Sequence, residues 1–201
     1  MISQNLKERF LTSFFLIVLI ILFTKYDFFL VYTLIVLGVL SVIEFFDITK
    51  KIIANKLYFL ISSLSFVSYI FIFCFLFLFF FKFVQLKILL IILLLVCIAS
   101  DIGGYIFGKI FKGPKLSKIS PNKTVAGAIG SLLLSSLVIL LLFYFINEKL
   151  NYLTIVVAMI TSIFCQLGDL FFSFLKRKAN LKNTGNFLPG HGGVLDRLDS
   201  I

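Results

Sequence analysis

Residues 88–108 read ILLIILLLVCIASDIGGYIFG. One charge, Asp101, interrupts an otherwise apolar run, and there is no two-residue alternation of the kind a spanning strand shows. About 20 mostly apolar residues cross a bilayer as an α-helix, because a helix satisfies its own backbone polar groups where water cannot. The stretch therefore reads as a membrane-spanning helix with a carboxylate near one end. Gly103, Gly104 and Gly108 lie on closely spaced turns beside it. Gly104 and Gly108 are four apart, the spacing that lets two helices approach closely.

Working outward, the same reading recurs at residues 10–24, 28–46, 57–81, 125–146 and 152–175. Composition agrees, with 61% hydrophobic residues against about half in soluble domains. Mean hydropathy is +1.14. The expected fold is all-α, a polytopic integral membrane protein of about six transmembrane helices. Lys7 and Arg9 before the first run resemble the start of a signal peptide. Thr24-Lys25-Tyr26 offers no small-residue cleavage site, so the run reads as a retained first span. The phenylalanine-rich patch at 77–81 reads as lipid-facing. Cys74, Cys97 and Cys165 stand alone in apolar runs, which indicates neither a disulfide framework nor a zinc site.

The formal charge of +10 would suggest nucleic acid in a soluble protein. Here it reads as loops held at an anionic membrane face, or as anionic substrates, with no nucleic acid. All but four of the 19 lysines and arginines fall on the N-terminal side of the six spans, the exceptions being Lys25, Lys82, Lys87 and Lys149. By the positive-inside rule that side is cytoplasmic. Both polar stretches, 109–124 and 176–201, then face the cytoplasm, where nucleoside triphosphates are found.

Three carboxylates, Glu44, Asp101 and Asp169, lie within or at the rim of apolar runs. A charge there is costly, so it faces a partner or a wet cavity. Asp101 and Asp169 sit near the cytoplasmic helix ends, at the depth of the basic loops. For Glu44 the plainer reading weighs more: a carboxylate at a helix end, paired with a nearby lysine. In the loop after residue 108, Ser120-Pro121-Asn122-Lys123-Thr124 precedes the fifth run. A helix N-terminus favours anions, and a lysine with hydroxyls adds phosphate ligands. The stretch is not a Walker A loop, and a plain positive-inside anchor is the alternative.

The densest chemistry is residues 173–199, SFLKRKANLKNTGNFLPGHGGVLDRLD. Lys176, Arg177, Lys178 and Lys182 come first. A Gly/Pro-rich turn follows, holding His191, the sole histidine. Asp196, Arg197 and Asp199 close it, the two aspartates three apart and on one face if helical. Cations, spaced carboxylates and a glycine-rich loop suit a polyphosphate with its metal ion.

This stretch resembles the signature of the phosphatidate cytidylyltransferase (CDP-diacylglycerol synthase) family. The resemblance is carried by Ser173, Leu175, Lys176, Arg177, Lys182, Gly185, Leu188, Pro189, His191, Gly192, Gly193, Val194, Asp196, Arg197, Leu198 and Asp199. Upstream, Ser120–Thr124 with Gly127 is similar to a second block of the family. Asp101 with Gly103, Tyr105 and Gly108 is similar to a third, and Gly168-Asp169 to a fourth. The family has aspartate where this chain has Asn183, and usually glutamate where it has Ala126. Its members continue past the signature into another membrane helix, so truncation at the C-terminus is expected.

The resemblance implies transfer of the cytidylyl group of CTP to phosphatidic acid, giving CDP-diacylglycerol and pyrophosphate, with Mg²⁺ as cofactor. It marks Asp169 and Asp196 as metal ligands, with Asp101 and Asp199 as second choices. Lys123, Lys176, Arg177, Lys182 and Arg197 would neutralise phosphates. Ser120 and Thr124 would add hydrogen bonds, and His191 would donate to a phosphate or to departing pyrophosphate. Asp169, Asp196, His191, Lys176 and Arg197 form the expected catalytic set. Residues 1–201 are expected to be one membrane domain, with 1–87 as scaffold and 88–201 as the catalytic half. The expected location is a bacterial-type inner membrane, with the N-terminus and active site cytoplasmic. A homodimer is an open possibility. Rival readings are a CTP-dependent lipid-alcohol kinase, a transporter, and an inactive or fragmentary homologue.

Overall fold

The structure is a computed structural model that describes residues 26–116, 120, 123–147, 152–185, 187 and 192–199. The expected span at 10–24, with Lys7, Arg9 and Lys25, lies outside the described residues, as does His191. Among the described residues six helices follow one another: α1 (Asp27–Ile52), α2 (Lys56–Lys82), α3 (Val84–Phe111), α4 (Val125–Asn147), α5 (Tyr152–Lys178) and the one-turn α6 (Leu195–Leu198). The first five are long and apolar enough to cross a membrane, and no strand is present among the described residues. The chain is thus an all-α polytopic membrane protein. The observed helices overrun the apolar runs at most ends. Apolarity marks what sits in hydrocarbon, whereas the i→i−4 ladder continues into the polar interface.

Local chemistry sets the breaks. Asn55 Oδ1 accepts the Leu57 N–H at 2.9 Å and starts α2. Lys112, in the left-handed region at φ 48°, ends α3. After α5, Asn180 at φ 56° turns the chain. The Leu181 N–H then reaches the Lys176 carbonyl at 2.8 Å, and the Asn180 N–H the Arg177 carbonyl at 3.1 Å. That paired bonding is a Schellman stop, and it sends the basic end of α5 into the following loop.

The chain forms two compact units, one within Met1–Phe79 and Leu175–Leu198, the other within Phe80–Phe174 and Asp199–Ile201. In the first, Phe45 of α1 stacks on Phe66 of α2 with ring centres 3.9 Å apart. In the second, α3 and α4 cross on glycines. A Cβ at Gly127 would lie 2.8 Å from the Gly104 carbonyl oxygen and 3.4 Å from the Gly108 Cα. The close packing expected of Gly104 and Gly108 is therefore present. Ile92, Val96, Ile139 and Ala158 form an apolar core here. Beside it runs a polar seam. The Ser131 hydroxyl donates to the Ser100 carbonyl at 2.7 Å, the Ser100 and Ser162 hydroxyls are bonded at 2.9 Å, and the Cys97 and Cys165 sulfurs lie 3.0 Å apart. Each hydroxyl finds a partner inside the protein, as apolar surroundings require. Large side chains such as Phe71, Phe75 and Phe164 stand exposed on the helix flanks, where a bilayer would cover them.

Candidate functional site

The tail folds around Asp196. Its Oδ1 accepts the Lys176 ammonium at 2.7 Å. Its Oδ2 accepts the Thr184 N–H at 2.8 Å and the Gly193 N–H at 3.1 Å. The ion pair is largely sheltered, with side-chain exposures of 13% for Lys176 and 12% for Asp196. Burial alone would push the Asp196 carboxyl up. The hydrogen bond from Lys176, those from Thr184 and Gly193, and the lysine's charge outweigh it, so the carboxyl falls below its ordinary range. Gly192 holds φ 88°, a left-handed conformation open to glycine, which turns the chain into this cluster.

Glu44 closes the other side of the loop. This α1 side chain is 1% exposed. Its Oε1 accepts the Val194 N–H at 2.8 Å. Its Oε2 accepts the Leu195 N–H at 2.9 Å and the Thr184 hydroxyl at 2.7 Å. Glu44 thus meets backbone and hydroxyl donors rather than the expected lysine. The first N–H groups of α6 lack partners within that helix, and the carboxylate supplies them. The carboxylate is admitted by two missing side chains. A Cβ at Gly185 would lie 2.6 Å from Glu44 Oε1, and one at Gly193 would lie 2.5 Å from Oε2. Sequence reasoning singled out Glu44 but not its partners, and it missed Thr184. The available signal for Glu44 was its position as an acid in an apolar run.

The second unit holds a smaller cluster. Lys123 and Asp169 form an ion pair through Nζ and Oδ2, with side-chain exposures of 26% and 30%. Asp169 Oδ1 accepts the Ser173 hydroxyl at 3.4 Å. Lys123 is held by its own loop. Its carbonyl accepts the Leu116 N–H at 2.8 Å, and its N–H donates to the Ser120 carbonyl at 3.1 Å. Thr124 caps α4, its Oγ1 accepting the Gly127 N–H at 3.1 Å. The Val125 N–H is taken by the Pro114 carbonyl at 2.9 Å. Much of the anion-attracting helix start is therefore satisfied internally, while the Thr124 hydroxyl proton remains available to donate. The Asp199 carbonyl packs so closely on Gly168 that a Cβ there would collide with it.

The remaining expected residues are placed as follows. Arg177, Lys182 and Arg197 are exposed, as is Asp101 in α3. Asp199 is half-buried and lies just past the end of α6. Asn183, where the resemblance expects aspartate, is exposed. Among the described residues no three of His, Cys, Asp and Glu converge as a metal cage. Magnesium seldom needs one, since it is commonly held by one or two carboxylates together with water and substrate phosphates. Asp169, partly exposed with hard oxygen donors, fits that mode. Asp196 fits it only through Oδ1, because Oδ2 already accepts two N–H groups.

The sequence is similar to those of known proteins. The profile of the cytidylyltransferase family matches residues 1–201. A phosphatidate cytidylyltransferase of Staphylococcus haemolyticus is 48% identical over 104 residues, 51% of this chain and 40% of that relative. Its counterparts in Staphylococcus aureus and Staphylococcus epidermidis are 47% and 46% identical over the same shares. The match thus spans about two-fifths of the length of these relatives. With the profile matching from end to end, the chain belongs to the cytidylyltransferase family.

Proposed function

We propose that this chain transfers the cytidylyl group of CTP to phosphatidic acid, giving CDP-diacylglycerol and pyrophosphate. The supporting observation is the tail cluster, in which Asp196 holds Lys176 beside a loop of backbone donors. The named activity of the staphylococcal relatives points the same way.

The nucleophile is a phosphate oxygen of the lipid. A phosphomonoester has a second pKa of about 6, so near pH 7 it is already largely dianionic and no strong base is required. That oxygen forms a bond to the α-phosphorus of CTP. The bond from the α-phosphorus to the bridging oxygen of the β-phosphate breaks, and pyrophosphate carries away the electron pair. The protein's task is neutralisation and alignment. Lys123 and Lys176, each already oriented by a carboxylate, approach phosphate oxygens. Exposed Arg177, Lys182 and Arg197 add charge at the headgroup. Ser120 and Thr124 donate hydroxyl protons, and His191 donates to a phosphate or to pyrophosphate. Asp169 and Asp196, the latter through Oδ1, would hold Mg²⁺, with Asp101 and Asp199 as second choices. When bound, that ion neutralises phosphate charge.

The site is set at the cytoplasmic face of a bacterial inner membrane. CTP arrives there from water, and the lipid arrives sideways with its headgroup at the interface. Residues 88–201 carry the catalytic groups and 1–87 serve as scaffold, except that Glu44 joins the site.

The test supplies membranes bearing the chain with labelled CTP, phosphatidic acid and Mg²⁺, and separates the products. Label in CDP-lipid that is lost in Asp169→Ala supports the reading. Label passing to a lipid alcohol as monophosphate, with CDP released, identifies a kinase and overturns it.

A further inference from the structure

Glu44 is the one buried carboxylate in the described structure that the chemistry above does not use, and nothing in the signature points to it. It sits in a helix assigned as scaffold, yet all its hydrogen bonds go to the tail. Thr184 and Val194–Leu195 are the two sides of the base of a loop, and Glu44 accepts from both. Asp196 grips the same base from its other side, through the Thr184 N–H and Gly193 N–H. The residue between these two carboxylates, Thr184, gives its hydroxyl to one and its amide to the other.

We propose that Glu44 is a positioning residue for the transfer reaction. It pins both sides of the loop, and so fixes Asp196 and the lysine that Asp196 holds. The packing supports this specifically. Every partner of Glu44 is a donor, which a carboxylate can satisfy and a glutamine can satisfy only in part. Gly185 and Gly193 are both shaped around its two oxygens. A side chain that only filled space would need neither. Glu44 touches no substrate in this role. It acts through Thr184 and the start of α6.

The activity arm of the test rests on the proposed transfer, and the exchange arm does not. Whole chain in lipid nanodiscs is compared as wild type, Glu44→Gln, Thr184→Val and Asp47→Asn. The last is an exposed acid on the same helix that serves as control. Hydrogen exchange of the tail peptide is read by mass spectrometry. The Val194 and Leu195 amides are expected to exchange about tenfold or more faster in Glu44→Gln, as loss of a charged acceptor implies. Thr184→Val is expected to be intermediate and Asp47→Asn unchanged. Turnover in Glu44→Gln is expected to fall by up to about 10²-fold, the cost of misplacing catalytic groups by about an ångström. The loss in kcat should exceed any rise in KM for CTP. Wild-type exchange and turnover in Glu44→Gln, which keeps the shape of the side chain, would overturn the proposal and leave Glu44 as packing. If Glu44→Gln does not insert, Thr184→Val decides by the same readings. If wild type makes no CDP-lipid, the transfer reading fails and the exchange arm alone decides whether Glu44 pins the loop.

Discussion

Replacing Asp196 by asparagine tests whether the carboxylate works as a staple. Aspartate serves three donors at once: the Lys176 ammonium at 2.7 Å, the Thr184 N–H at 2.8 Å and the Gly193 N–H at 3.1 Å. Asparagine has one carbonyl oxygen, so it keeps either the two N–H groups or the lysine. Its NH₂ then faces a donor. Because the pair is sheltered, the near-zero value of surface ion pairs does not apply. A charge-assisted hydrogen bond is worth about 1.5–3 kcal/mol, which corresponds to about 10- to 150-fold in the docked population of the loop and in turnover. Lys176→Met removes the same bond from the other side. Initial rates of CDP-diacylglycerol formation, at saturating CTP and Mg²⁺, are measured for both single variants and the double. Residues that act as one unit are non-additive, so the double is expected to lose no more than the worse single. A wild-type rate for Asp196→Asn, or fully additive losses, refutes the staple. A larger Mg²⁺ requirement in Asp196→Asn but not in Lys176→Met would add the metal-holding role proposed for Oδ1 to that of staple.

Two further outcomes follow from the geometry. Because its partners hold the Asp196 carboxyl below its ordinary value of 3.8, the folded tail binds fewer protons there than the unfolded one. Its stabilising contribution is therefore complete above that value and lost as pH falls through the lowered one. Thermal unfolding between pH 6 and pH 3 should show this loss in wild type and not in Asp196→Asn. Gly127→Ala places a Cβ 2.8 Å from the Gly104 carbonyl, a backbone atom that cannot rotate away. Overpacking of this kind costs about 1–3 kcal/mol, so detergent-solubilised Gly127→Ala should melt lower than wild type, and an unchanged midpoint would argue against the tight crossing.

The five long helices were readable because a bilayer imposes one rule on the backbone, and residues 88–108 obey it openly. The glycine crossing was readable for a related reason, since residues four apart on a helix share a face whatever they meet. The tail's chemistry was readable as a set of residue types but not as a set of bonds. Lys176 and Asp196 were both singled out, yet their pairing depends on the Schellman turn at Asn180, which asparagine permits without announcing. Thr124 was expected to face phosphate. Its cap on α4 follows from being the last residue before the helix, a use of the hydroxyl oxygen as acceptor that leaves the proton to donate. Glu44 was illegible for a different reason. A lone acid near a helix end fits a lysine partner as well as any other, and two of its three donors are backbone groups, which carry no sequence signature.

The bond between Glu44 and Thr184 spans 140 residues. Synthesis at about 5–20 residues per second places roughly 7 to 28 s between the two. During that interval α1 carries an acid into the membrane without the donors that will hold it. Helices α2 to α5 are made before the loop arrives to relieve it. Biogenesis therefore has a built-in order. The apolar helices can assemble early, while Glu44 is held only once Thr184 and the 193–195 amides emerge. A nascent chain stalled before residue 184 would carry Glu44 without these three donors.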